Sequence, residues 1–130
     1  MVNERTILIA DDELNFRDIG REFVEVLFPG YTPETLCDGN QLKSRLEQGV
    51  HDVAVIITDN TMHAGPTGSE IIQKYARNPG APPIILATGD GGCVGEAAVR
   101  NGAFGYLKKP YRMVQFEEIV GRALASRQSS

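Results

Sequence analysis

Short apolar runs alternate along the chain with stretches in which apolar residues recur every three or four positions. Thr6–Ala10, Val53–Thr58 and Pro83–Ala87 are nearly continuous apolar runs rich in Val, Ile and Leu, as expected of strands covered on both faces. Pro83 opens its run, where a missing amide donor is tolerated. Phe104–Leu107 is a shorter run of the same kind. Thr35–Cys37 is placed as a second strand by its surroundings alone. Between these runs the period changes. Phe16, Ile19, Phe23, Val26 and Leu27 form one apolar helix face, stopped by Pro29-Gly30. Asn40 can cap a short helix carrying Leu42 and Leu46. Ser69–Arg77 is a helix with Ile71, Ile72 and Tyr75 inward, broken by the Pro and Gly residues of 78–82. Val94–Arg100 is a short helix, and Met113, Phe116, Val120, Ala123, Leu124 and Arg127 mark a final one.

A βα unit repeated five times predicts a parallel sheet with right-handed crossovers and helices on both faces. The 130 residues fit one domain, with a core over about 5–125 and a polar tail, 126–130, expected to fray. Hydrophobic residues make up 42% and charged residues 23%, ordinary for a soluble globule. The net charge of −4 argues against nucleic acid as a direct partner. No apolar run approaches the roughly 20 residues that span a bilayer, and the polar start is not a signal peptide. Cys37 and Cys93 form no CxxC pair, which fits a reducing cytoplasm better than a disulfide framework.

In open α/β sheets, ligands bind at the carboxyl ends of the strands. There this chain places Asp11-Asp12 after the first strand, Asp59 after the third, Thr88 after the fourth and Lys109-Pro110 after the fifth. Three carboxylates on one edge need positive charge. Two at about 4 Å repel by roughly 4 kcal/mol at an effective dielectric near 20. Lys109 supplies one charge, and a hard divalent cation such as Mg²⁺ suits the remaining oxygen ligands. A carboxylate in this setting can act as a nucleophile and form an acyl phosphate, with the lysine, the metal and the Thr88 hydroxyl neutralising the transferred oxygens.

The stretches Ile7–Glu13, Val55–Met62, Ile84–Gly89 and Gly102–Pro110 together resemble the receiver domain of two-component response regulators. Each motif is weak alone; all four in order, each after its own strand, are specific. The resemblance implies a flavodoxin-like (βα)5 fold with strand order 2-1-3-4-5. It implies that Asp59 accepts a phosphoryl group from a histidine kinase, a phosphotransfer protein or a small phosphodonor. Asp12, Asp59 and the Thr61 carbonyl would ligate Mg²⁺, with Asp11 acting mostly through water. Lys109 would pair with Asp59 and then with the phosphoryl group, while Thr88 and Tyr106 would shift as the switch. A cis bond before Pro110 is expected. The face built by the fourth helix, fifth strand and fifth helix, near Arg100, Lys108, Tyr111 and Arg112, would meet an output partner or a second copy of the chain. Such a protein is a signalling switch rather than a turnover enzyme.

The chain departs from the family pattern after Asp59. Met62 is followed by His63 rather than proline, and the matching glycine, Gly68, comes one residue late. Gly65-Pro66 can absorb the insertion. Gly89, Gly91 and Gly92 weaken the start of the fourth helix. Asp90 and Thr61, two residues past Thr88 and Asp59, are positions expected to tune phosphate lifetime. His63 is a metal-ligand or pH-sensor candidate set against an ordinary loop histidine. Arg17, Arg21, Arg45 and Arg77 are most simply solvated helix faces. Rival functions are limited. A haloacid-dehalogenase-like phosphatase needs a second Asp where Thr61 stands, and a flavodoxin needs a phosphate loop where Asp11-Asp12-Glu13 would repel the phosphate. The alternative kept is a phosphorylation-independent pseudo-receiver, an interaction module of the same fold.

Overall fold

A computed structural model describes residues 4–128. Five strands, β1 (Thr6–Ala10), β2 (Thr32–Leu36), β3 (Val53–Asp59), β4 (Ile84–Thr88) and β5 (Gly105–Lys108), alternate with five helices. These are α1 (Leu14–Leu27), α2 (Gly39–Glu47), α3 (Gly68–Tyr75), α4 (Gly92–Arg100) and α5 (Met113–Gln128). The strands form one sheet in the order β2-β1-β3-β4-β5, with every neighbouring pair parallel. This is the flavodoxin-like order implied by the motifs. No helix among the described residues is long and apolar enough to cross a membrane.

Strand residues alternate between faces, and the alternation sorts the core into two halves. Ile7, Ile9, Val55, Ile57 and Ile85 meet Val24 of α1 and Phe116, Val120 and Ala123 of α5. Leu8, Ala10, Ile56, Ile84 and Leu86 meet Leu42 and Leu46 of α2, Ile71 and Ile72 of α3 and Ala98 of α4. β3 is buried along its whole length because it has helices on both faces and a strand on each side.

The local expectations fail at identifiable points. β2 is Thr32–Leu36, not Thr35–Cys37. It pairs only with β1, and an edge strand accepts Pro33 and carries polar residues that hide it from a hydrophobicity pattern. Val26 is 66% exposed, and Val24 takes the buried place on α1. The cap of α2 is Asp38, whose Oδ1 accepts the Gln41 N–H at 2.8 Å, rather than Asn40. Within the supposed tail, Ser126 and Arg127 belong to α5, and Arg127 pairs with Glu4; residues 129–130 lie outside the described residues. Arg45 is not a solvated arginine. Its guanidinium holds Glu34 at 2.8 Å and Asp52 at 2.9 Å, tying α2 to β2 and to the approach to β3. Arg77 donates to the Arg100 carbonyl oxygen at the end of α4.

Phe116 is the largest fully buried side chain. It packs edge-on against Phe23 at 5.3 Å and is stacked with Tyr111 at 5.8 Å between ring centroids. Phe116→Ala removes a ring that joins α1, α5 and the sheet. It is expected to lower the unfolding free energy by about 3–5 kcal/mol, measured by urea denaturation.

Candidate functional site

Register builds the site. Ala10 stands opposite Thr58, and Asp59 opposite Ala87. Asp11, the next residue after β1, therefore emerges level with Asp59, and Thr88 follows one residue beyond that level on β4. On the far side Thr88 stands opposite Lys108, and the Lys109 N–H donates to the Thr88 carbonyl oxygen at 2.8 Å. The ends of β1, β3, β4 and β5 open into a cleft of about 520 Å³ lined by Asp12, Asp59, Thr61, Thr88, Asp90 and Lys109.

The Lys109 ammonium organises this cleft. It lies 2.7 Å from Asp11 Oδ2 and 3.2 Å from Asp59 Oδ1, with only 7% of its side chain exposed. Its Nζ also sits 4.2 Å from the centroid of the Phe16 ring, an electrostatic contact for which the helical spacing of Phe16 offered no signal. Burial works against the lysine's charge, but the Asp11 and Asp59 carboxylates outweigh it and hold its pKa above the ordinary value. The Lys109–Pro110 bond is cis, as the resemblance implied.

The carboxylates are differently placed. Asp11 is buried; its Oδ1 accepts the Glu13 N–H at 2.9 Å. Asp12 is partly exposed, with His63 Nδ1 at 3.7 Å from its Oδ2. Carboxylate oxygens of Asp11, Asp12 and Glu13 lie within 4.8 Å of one another. Asp59 is 7% exposed. Its carboxyl is pushed up to about 6, by burial first and then by repulsion from Asp11, which the Lys109 ammonium opposes and Asp12 reinforces. One ammonium thus leaves the edge short of positive charge. An all-oxygen donor set facing a cleft with surplus negative charge fits a hard divalent cation.

The two switch candidates are each held by other partners. The Thr88 hydroxyl accepts the Asp90 N–H at 3.0 Å and donates to Asp90 Oδ2 at 3.3 Å. Tyr106 is 36% exposed. Its ring lies flat on α4, where a Cβ on Gly95 would come within 2.6 Å of Cε2. Thr61 is exposed at the cleft mouth. Tyr111, expected near the outer face, is only 8% exposed. It packs on Phe16 and Phe23 at centroid distances of 5.9 and 6.2 Å, because the chain turns inward there to start α5.

A five-stranded parallel sheet in the order β2-β1-β3-β4-β5, with an acidic, lysine-bridged cleft at its carboxyl edge, places the chain in the flavodoxin-like class of α/β proteins. The profile of the response regulator receiver domain matches residues 7–121, and the chain belongs to that family. It is 30% identical over 122 residues to the C4-dicarboxylate transport transcriptional regulatory protein DctD of Pseudomonas aeruginosa, a match covering 93% of this chain and 25% of that protein. The chain thus spans about a quarter of the length of this curated relative. A receiver domain from Clostridium thermocellum superposes with a TM-score of 0.83 at 23% identity, over 95% of this chain and 97% of that one. The chemotaxis response regulator CheY4 of Vibrio cholerae gives 0.77 at 23% identity, over 92% and 98%. At such identities these likenesses establish the fold.

A carboxyl whose folded pKa lies above its unfolded value binds its proton more tightly in the folded state. The stability it contributes is present below the unfolded value and is lost as pH rises through about 6 for Asp59. Above that pH the ionised carboxylate costs the fold. In metal-free buffer Asp59→Asn is expected to stabilise the protein by about 1–3 kcal/mol near pH 7.5. The gain should shrink as pH falls from about 6 to 4, read by urea unfolding across that range.

Proposed function

We propose that the chain is a phosphorylation-operated switch in which Asp59 is the phosphoacceptor. The observation that carries this is the Asp59 carboxylate, buried at the end of β3 with the Lys109 ammonium 3.2 Å away and Asp12 in the same cleft. Ionised Asp59 presents an oxygen to the phosphorus of a histidine kinase, a phosphotransfer protein or a small phosphodonor. The new O–P bond forms as the bond to the donor breaks, and that electron pair leaves with the donor. Lys109 turns from Asp59 toward the phosphoryl oxygens, and the Thr88 hydroxyl, once released from Asp90, donates to one of them. Mg²⁺ would be held by Asp12, Asp59 and the Thr61 carbonyl, with Asp11 acting through water, and supplies neutralising charge to the phosphoryl group.

The switch follows from Thr88. To reach a phosphoryl oxygen its hydroxyl leaves Asp90, and the space it vacates behind β4 admits the Tyr106 ring from its seat on α4. The face of α4, β5 and α5 then changes shape. Val99 and Tyr106 are exposed there, beside the exposed Arg100, Lys108 and Arg112, a mixed apolar and basic surface suited to an output partner or a second copy.

Incubation with acetyl phosphate and Mg²⁺, followed by intact mass, is expected to give a single phosphoryl adduct. The adduct should be lost without Mg²⁺ and absent in Asp59→Asn. A wild-type protein that takes up neither phosphoryl group nor beryllofluoride belongs instead to the phosphorylation-independent interaction modules. Asp90→Ala removes both the acceptor that holds Thr88 and a negative charge beside the phosphoryl site. It is expected to tighten beryllofluoride binding about 2- to 10-fold, measured by fluorine NMR titration.

A further inference from the structure

The lengthened loop after Asp59 is anchored at both ends. At its stem the Gly68 N–H donates to the Asn60 carbonyl oxygen at 2.8 Å. The Ser69 N–H and hydroxyl donate to Asn60 Oδ1 at 3.0 and 2.6 Å. The Thr67 hydroxyl and the Glu70 side chain form a reciprocal cap that starts α3 at the same point. At its far end the loop is bonded to another element. The Gly39 N–H, in the first turn of α2 and without an intrahelical acceptor, donates to the Ala64 carbonyl oxygen at 2.8 Å. Thr61, Met62 and His63 are strung between these anchors, and Met62 is 7% exposed.

Beside the far anchor, neither Gly39 nor Gly65 has room for a side chain. A Cβ on Gly39 would overlap the Pro66 carbonyl oxygen and lie 2.9 Å from Pro66 N and 3.0 Å from the Gly65 carbonyl carbon. A Cβ on Gly65 would overlap the Asn40 N and lie 2.7 Å from both Asn40 Oδ1 and the Gly39 carbonyl carbon. Gly65 also has φ +82, where a side chain is strained on its own account. The obstructing atoms are mostly backbone, so no rotamer change relieves them. Any added carbon must drive α2 and the loop apart, and the displacement reaches Thr61 through three residues.

We propose that the amino end of α2 is a positioning element of the Asp59 cleft. In this inference the interlock of Gly39 with Gly65 holds the Thr61 backbone where a cation bound by Asp12 and Asp59 can use it. The inference rests on the metal-dependent reading above. It makes α2, which contributes no side chain to the cleft, a route by which a ligand or partner on the α2 side alters the cleft's hold on the metal. Groups that support metal ligands without touching the metal commonly change affinity by about 10- to 100-fold when lost.

The test is a Mg²⁺ titration followed by backbone amide shifts, which report affinity and folding in the same spectra. Gly39→Ala and Gly65→Ala are each expected to weaken Mg²⁺ binding at least about 10-fold while the β3 amides keep their dispersion. Gly80→Ala is the control: Gly80 has φ +77 but nothing within 4 Å of its would-be Cβ. It should lose stability and keep wild-type Mg²⁺ affinity. Unchanged affinity in folded Gly39→Ala and Gly65→Ala overturns the proposal. Should both variants fail to fold, hydrogen exchange of wild type decides. Linkage requires Mg²⁺ saturation to slow exchange of the Gly39 amide several-fold if the interlock and the metal are coupled; an unaltered rate overturns the coupling. Wild type that binds no Mg²⁺ at all overturns the metal-dependent reading itself, an outcome distinct from the loss of the interlock alone.

Discussion

Lys109 Nζ stands 2.7 Å from Asp11 and 3.2 Å from Asp59, and the geometry of the carboxyl edge depends on that one ammonium. Without it, the buried Asp11 and Asp59 carboxylates would face each other unpaired, and burial and repulsion would favour protonation of one of them. With it, the pair is held together yet not fully balanced, since Asp12 adds a further charge at the mouth. The Asp59 carboxyl is pushed upward by burial first and then by repulsion from Asp11, against which the Lys109 ammonium works. The surplus of carboxylates over ammonium suits the cleft to a cation, and the phosphoryl chemistry proposed for Asp59 would draw on both.

Strand register is the mechanical side of the same constraint. Parallel pairing sets Asp11 level with Asp59 and Thr88 one residue beyond, and the main-chain bond from Lys109 to Thr88 carries the fifth strand end to the same edge. A slip of one residue in β3 would turn Asp59 into the core and abolish the site. The two-sided core guards against this, because Val55 and Ile57 pack under α1 and α5 while Ile56 packs under α2 and α3. Burial of alternate residues on opposite faces therefore sets the position of Asp59 as well as the stability of the sheet.

Around this rigid edge lie parts that can exchange partners. Thr88 is bonded to Asp90, and Tyr106 rests on a glycine of α4. In the proposed switch both contacts are given up when a phosphoryl group on Asp59 offers Thr88 a stronger acceptor. The loop on the opposite side of the cleft is of another kind. It is clamped between α3 and α2 by main-chain bonds and by close backbone contact, whereas Thr88 and Tyr106 are held by side-chain contacts.

The sequence by itself determined the five βα units, the buried central strands and the convergence of Asp11, Asp12, Asp59, Thr88 and Lys109. These are written in local periodicity and in the residues at each strand's carboxyl end, and a parallel sheet brings strand ends together whatever the side chains do. It also carried the family motifs, including the cis bond at Pro110. Edge strand β2 was misplaced because a strand paired on one side needs no apolar run. Arg45, Tyr111 and the last residues of α5 were misjudged because each is buried or paired by elements distant in sequence. Only the tertiary structure decided that Lys109 lies nearer Asp11 than Asp59, that Thr88 is bonded to Asp90, and that Tyr106 lies outward on Gly95. Only it could bring Gly39 against Gly65. Those contacts depend on how helices sit over the sheet to within an ångström, and spacing along a chain carries no such information.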